Sequence, residues 1–184
     1  NVPESLITEN TSDFFTTGLE QSDARGFVIE ELELSLENAI GLDAERGSKL
    51  RGTKEDDLFL LSGNKLRAKG KTGIDTFVIT SFNGGKSSDT ILDFNSRKGD
   101  RLAVDFSGME LSEYDSITFA VAADQAEYKS LKKDAPLLIY REDKGDLMFD
   151  SNGSAKGLGD GGKLLHFKGA PELVGGDLFS LSEL

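Results

Sequence analysis

The chain has 184 residues, with 33 acidic and 21 basic side chains and a formal net charge of −12. That balance argues against nucleic acid and anionic membrane surfaces, which are held by basic patches, and it suits hard cations. There is no cysteine, which excludes disulfides, thiolate zinc sites and cysteine nucleophiles, and no apolar run of about 18 residues that would span a membrane.

Glycine is frequent, at 21 residues against three prolines. Such a chain makes many turns with positive φ and points to an all-β or repeat architecture. It begins Asn1-Val2-Pro3, with neither an initiator Met nor a signal peptide, and reads as a mature piece or a fragment. Residues 1–46 are acidic and carry no motif. Thr11-Ser12-Asp13 can open a short helix at Phe14-Phe15. Between Phe27 and Leu36, Leu32, Leu34 and Leu36 alternate with Glu33 and Ser35 as in a half-buried strand. The glutamates favour a helix from Ser22 to Ala39 as the rival reading.

From Gly52 the texture changes. Short apolar groups recur between Gly- and Asp-rich turns: Leu58-Phe59-Leu60, Phe77-Val78-Ile79, Thr90-Ile91-Leu92 and Leu102-Ala103-Val104. Ile117-Thr118-Phe119, Leu137 to Tyr140, Leu147-Met148-Phe149 and Leu164 to Phe167 follow. This spacing predicts many short strands. Ala120 to Lys132 holds the best helix formers, with Ala120, Ala123, Ala126 and Leu131 near helical spacing, and predicts one short helix.

A fixed period underlies the first of these strands. Gly70-Lys71-Thr72-Gly73-Ile74-Asp75-Thr76-Phe77-Val78 fits the nonapeptide Gly-Gly-x-Gly-x-Asp-x-apolar-x at positions one, four, six and eight. Two periods earlier, Gly52 to Leu60 keeps the first glycine, Asp57 and the apolar residue. Gly84-Gly85-Lys86-Ser87-Ser88-Asp89-Thr90-Ile91-Leu92 is a third copy in a shifted phase, and Leu61 to Lys69 is degenerate. In such a repeat, six residues turn and three form a strand. The glycines permit left-handed angles, and the aspartates and turn carbonyls make an oxygen cage suited to calcium. The predicted ligands are Gly52, Lys54, Asp57, Gly70, Thr72, Asp75, Gly84, Lys86 and Asp89, through Asp side chains and backbone carbonyls. The plain alternative is ordinary β-turns that use Asp and Gly for local backbone reasons.

Gly73 to Val78, then Asp89-Thr90-Ile91-Leu92-Asp93-Phe94-Asn95, then Gly99-Asp100-Arg101-Leu102, resemble the end of the repeats-in-toxin (RTX) family. So do Leu138-Ile139-Tyr140, Gly145 to Gly153, Leu164 to Gly169, Leu173 and Asp177 to Leu181. The resemblance covers about residues 50–184. It implies a short parallel β-roll, or β-solenoid, continuing into a β-sandwich-like C-terminal cap. It also implies calcium binding, bacterial origin, and export by a type I secretion apparatus that reads an uncleaved C-terminal signal. Glu55 and Ser87 depart from the pattern by replacing turn glycines. Three degenerate repeats imply only one or two ions.

Asp150-Ser151-Asn152-Gly153-Ser154 opens like an EF-hand loop, but its glycine comes early and Gly161 stands at the twelfth position. Asp150, Asn152 and Asp160 are a secondary calcium set, behind the reading of a plain turn. His166, the only histidine, lacks a triad or zinc spacing and reads as a structural strand residue. Asp93, Asp100 and Asp105 read as turn caps or calcium ligands before a glycosidase pair. Gly157 to Gly162 lacks a phosphate loop's Lys-Ser/Thr and reads as a hairpin connection.

The expected fold is mostly β with one short helix. The expected division is 1–46 of unknown role, 47–107 the calcium roll, and 108–184 the capping and secretion-signal domain. The leading function is non-catalytic: a calcium-binding C-terminal domain of a secreted or cell-surface protein. One rival is an adhesin or glycan-binding surface module, and another a hydrolytic or self-cleaving enzyme fragment.

Overall fold

A computed structural model describes residues 38–107, 109, 117–134 and 137–181. The helix expected at Phe14-Phe15 and the strand expected within residues 27–36 lie outside them. The fold below is that of the unit spanning residues 38–183.

Six short strands lead it: β1 (Lys49–Arg51), β2 (Leu58–Leu61), β3 (Arg67–Lys69), β4 (Thr76–Ile79), β5 (Asp89–Ile91) and β6 (Arg101–Val104). Odd-numbered strands join one sheet and even-numbered strands the other, and neighbours within each sheet run parallel. The chain therefore coils as a parallel β-roll. One coil takes 18 residues, pairing Leu58 with Thr76. The next takes 25, pairing Thr76 with Arg101. The longer coil accommodates a 3₁₀ turn, Ser96–Lys98, closed by Gly99 at φ 101°.

Beyond residue 107 the chain continues both sheets. β7 (Phe119–Ala122), helix α1 (Gln125–Leu131) and β8 (Leu138–Arg141) form a parallel crossover, and β9 (Asp146–Phe149) and β10 (Gly162–Phe167) follow antiparallel. β10 then pairs parallel with β5, and β11 (Leu178–Ser180) pairs parallel with β6. The sheets have the orders β1-β3-β5-β10-β9-β8-β7 and β11-β6-β4-β2. The fold is mostly β, with one α-helix among the described residues.

The helix is shorter than the run of helix formers because Asp124 caps it. Asp124 Oδ1 accepts the N–H groups of Ala126 and Glu127, at 2.7 and 2.9 Å. Glu127 Oε2 accepts the N–H of Ala123 at 2.9 Å, which closes the first turn. Ala120 falls in β7 instead.

Alternation along the strands fills the space between the sheets. Phe59, Leu61, Phe77, Ile79, Leu102 and Val104 face Ala68, Ile91, Leu165 and Phe167, all essentially buried. Phe59 stacks on Phe77 with ring centroids 4.9 Å apart, so the same repeat position packs on itself from coil to coil. Phe94 and Tyr140 both meet the Phe167 ring edge-on, tying the roll to the cap. The Tyr140 hydroxyl donates to Pro171 O at 2.7 Å. Leu60, Val78 and Ala103 form a second buried cluster, packed by Leu58 and Phe179. β2, β4 and β6 are thus buried on both faces, which explains their near-continuous apolar runs.

Candidate metal centre

Where the chain passes from the larger sheet to the smaller one, the turns 52–57, 70–75 and 93–100 stack. Each ends on an aspartate immediately before its strand: Asp57, Asp75 and Asp100. The three are linked as a ladder. The backbone N–H of Asp57 donates to Asp75 Oδ1 at 3.2 Å, and that of Asp75 donates to Asp100 Oδ1 at 3.1 Å. Asp100 Oδ2 accepts from Asn95 N–H at 2.8 Å. Asp57 Oδ2 accepts from Thr53 N–H at 2.6 Å. Asp93, one coil on, accepts from Gly70 and Lys71 N–H at 2.9 and 3.0 Å.

The glycines of the repeat make room for these carboxylates. A Cβ on Gly70 would lie 1.9 Å from Asp75 Oδ2, and one on Gly52 would lie 2.6 Å from Asp57 Oδ2 and from Gly70 O. Gly73, at φ +111°, packs so closely that a Cβ would sit 2.3 Å from Glu55 O. Only glycine fits this approach of one turn to the next.

Asp75 is 2% exposed. Burial raises its pKa from 3.8 to about 6, and the neighbouring Asp100, Asp57 and Asp93 push the same way against the Asp57 N–H. Asp100 is raised as well, by burial. Lys71, at φ 81°, answers part of this charge: its ammonium donates to Gly52 O, one of the carbonyls assigned to the cation. Thr72 Oγ1 donates to Lys54 O at 3.2 Å, so the Lys54 and Thr72 positions meet across the same pair of turns.

Gly84, Lys86 and Asp89 are not part of this stack. They lie at the opposite edge, where the chain returns from the smaller sheet to the larger, because the third repeat follows at a spacing that is not a whole coil. There Asp89, 1% exposed, accepts the N–H groups of Gly63 and Leu66, each at 2.8 Å. Burial raises its pKa, and these backbone bonds oppose the rise. Asn83 Nδ2 and Ser87 Oγ both donate to Gly63 O. Asp89 thus serves as a buried cap for the turn of the degenerate unit.

The secondary set sits in the loop joining β9 to β10. Asp150 is 1% exposed, and burial raises its pKa. Its Oδ1 accepts from Asn152 N–H at 3.3 Å, while Asp150 Oδ2 and Asn152 Oδ1 are buried with no hydrogen-bond partner. Two such oxygens on one loop are costly unless a cation or water meets them. Asp160 is exposed on the same loop.

A calcium ion fits these donors in kind, being hard, oxygen-seeking and tolerant of carbonyl ligands. Among the described residues, no group of three or more His, Cys, Asp or Glu side chains converges on one point. An ion at the stacked turns would therefore take backbone carbonyls beside one or two carboxylates. His166 stands on β10 with Nδ1 2.8 Å from Asp146 Oδ1, while Ser180 is on β11 in the other sheet. Asp56, whose Oδ1 accepts the Ile74 N–H at 2.6 Å, and Lys71 are the edge residues that the repeat pattern does not single out. Compared with protein-family models, curated proteins and solved structures, the chain matches none.

Proposed function

We propose that this chain is a non-catalytic, calcium-binding module of a secreted or cell-surface protein, whose folding is completed by calcium outside the cell. The observation that carries the reading is the in-register stacking of Asp57 on Asp75 over the Gly52 and Gly70 turns, one 18-residue coil apart. Stacked carboxylates repel one another, and the acids around Asp75 raise its proton affinity, so the roll is loose until a cation joins the turns. The buried, unpartnered Asp150 and Asn152 oxygens offer a second position.

Export by a type I apparatus agrees with the way the C-terminal stretch is used. Among the described residues, β11 is the edge of the four-stranded sheet and pairs with β6 alone. A signal in this region would be accessible while low cytosolic calcium keeps the sheet open, and would be withdrawn once β11 docks.

Thermal unfolding followed by circular dichroism, in millimolar calcium and in chelator, tests the reading. A large upward shift of the midpoint with calcium is expected. Coincident melting curves would overturn it.

A further inference from the structure

The net charge of −12 hides a segregated surface. On the outer face of the seven-stranded sheet, an open cleft of about 860 Å³ is lined by Lys65, Arg67, Lys86, Lys144, Lys163 and Lys168. A shallower depression of about 270 Å³, sharing Arg67 and Leu92, adds Lys49, Arg51 and Lys69. Nine of the 21 basic side chains thus crowd one face.

The strand registers order them. Lys49 pairs with Arg67, and Arg67 with Thr90, which pairs with His166. Two residues along, Arg51 pairs with Lys69, and the row runs on through Leu92 to Lys168. Neighbouring strands lie about 4.8 Å apart and same-face residues about 7 Å apart, so the cations form a grid spanning four strands. Among the described residues Asp146 is the one carboxylate lining either depression, and it is already engaged by His166 at 2.8 Å and Lys163 at 3.6 Å. Among the described residues no carboxylate forms an ion pair with Lys49, Arg51, Arg67, Lys69, Lys86 or Lys168. A field of like charges left unneutralised costs stability, and an acidic protein has no need of it for solubility.

We infer that this cleft binds an acidic polysaccharide, a chain carrying repeated carboxylate or sulfate groups. Lys and Arg in rows match anions repeated along a polymer, and Ser88 and Thr90 supply hydroxyl partners for sugar hydroxyls. Among the described residues no Phe, Tyr or Trp lines either depression, and the one imidazole, His166, is held by Asp146, so the cleft lacks the row of stacking rings that single-stranded nucleic acid uses. Among the described residues the exposed large apolar side chains, Leu42, Ile74 and Val174, lie outside both, so the cleft offers no apolar wedge to a membrane. The cleft is built from sheet-face side chains and stands independently of the calcium reading.

Surface plasmon resonance on the whole chain tests the assignment, using heparin as the sulfated probe, polygalacturonate as the carboxylated one and dextran as the neutral one. Each is run in calcium and in chelator, so that failure of the calcium reading does not decide the result. Binding to heparin, polygalacturonate or both, absent for dextran and weakened about tenfold or more by high salt, is expected. Arg67→Glu with Lys168→Glu should weaken it by a further factor of about ten. Lys133→Glu, an exposed change beside the helix, should leave it intact, with circular dichroism verifying the fold of each variant. No binding to either acidic glycan, equal binding to dextran, insensitivity to the double reversal, or stronger binding to single-stranded DNA or phosphatidylserine vesicles would overturn it.

Discussion

The backbone N–H of Asp57 donates to Asp75 Oδ1 across one coil of the roll, at 3.2 Å. This bond makes each repeat's acid the support of the coil before it, and the same contact recurs from Asp75 to Asp100. Coil-to-coil contacts of this kind couple each turn to its neighbour along this edge of the roll.

Gly70 leaves no room for a methyl group. Its Cβ would lie 1.9 Å from Asp75 Oδ2. Gly70→Ala should destabilise the chain by about 1–3 kcal/mol and weaken calcium binding, because the carboxylate must move to admit the methyl group. Urea unfolding, with and without calcium, measures both effects.

Lys71→Gly should act in the opposite sense on calcium. The change frees Gly52 O from the ammonium. It also relieves a left-handed backbone worth about 1 kcal/mol, which roughly offsets the greater freedom of glycine in the unfolded chain. Calorimetric titration should show tighter calcium binding, while stability in chelator stays within about 1 kcal/mol of the parent.

Asp89 provides the contrast between the edges. Asp89→Ala would strand two buried N–H donors, those of Gly63 and Leu66. A loss of about 2–4 kcal/mol is expected. Since this carboxylate caps backbone, the loss should be as large in chelator as in calcium, and urea midpoints in the two conditions check that.

The Asp75 carboxyl, raised from 3.8 to about 6 chiefly by burial, sets a pH dependence. The folded chain then holds this proton more tightly than the unfolded chain. Without calcium, its contribution to stability is lost as pH rises from about 4 through about 6, and it levels off above that. Calcium has to displace the proton, so its affinity should weaken as pH falls below about 6. Urea midpoints in chelator across this range, for the parent and Asp75→Asn, give the slope; the variant should flatten it.

Much of the architecture was legible in the sequence. The strands centred on Phe59, Phe77, Ile91 and Leu102 carry apolar runs because three of them are buried on both faces or stack on themselves. β1 and β3 gave no such signal. Lys49-Leu50-Arg51 and Arg67-Ala68-Lys69 each bury one residue between two exposed bases, too short an alternation to register as a strand. The same alternation builds the basic face, which net charge alone argued against. Asp57 and Asp75 were legible as a pair because 18 residues is one whole coil. Asp89 falls at the other edge because the third copy is out of phase, and the repeat pattern says nothing of Lys71, whose role depends on a contact 19 residues away.

Native mass spectrometry of the intact chain sprayed from calcium solution tests the central claim most directly. The account predicts two bound calcium ions, with one fewer in Asp75→Asn, one fewer in Asp150→Asn, and both lost to chelator. A chain that carries no calcium, or whose calcium count is the same in both variants as in the parent, would contradict it.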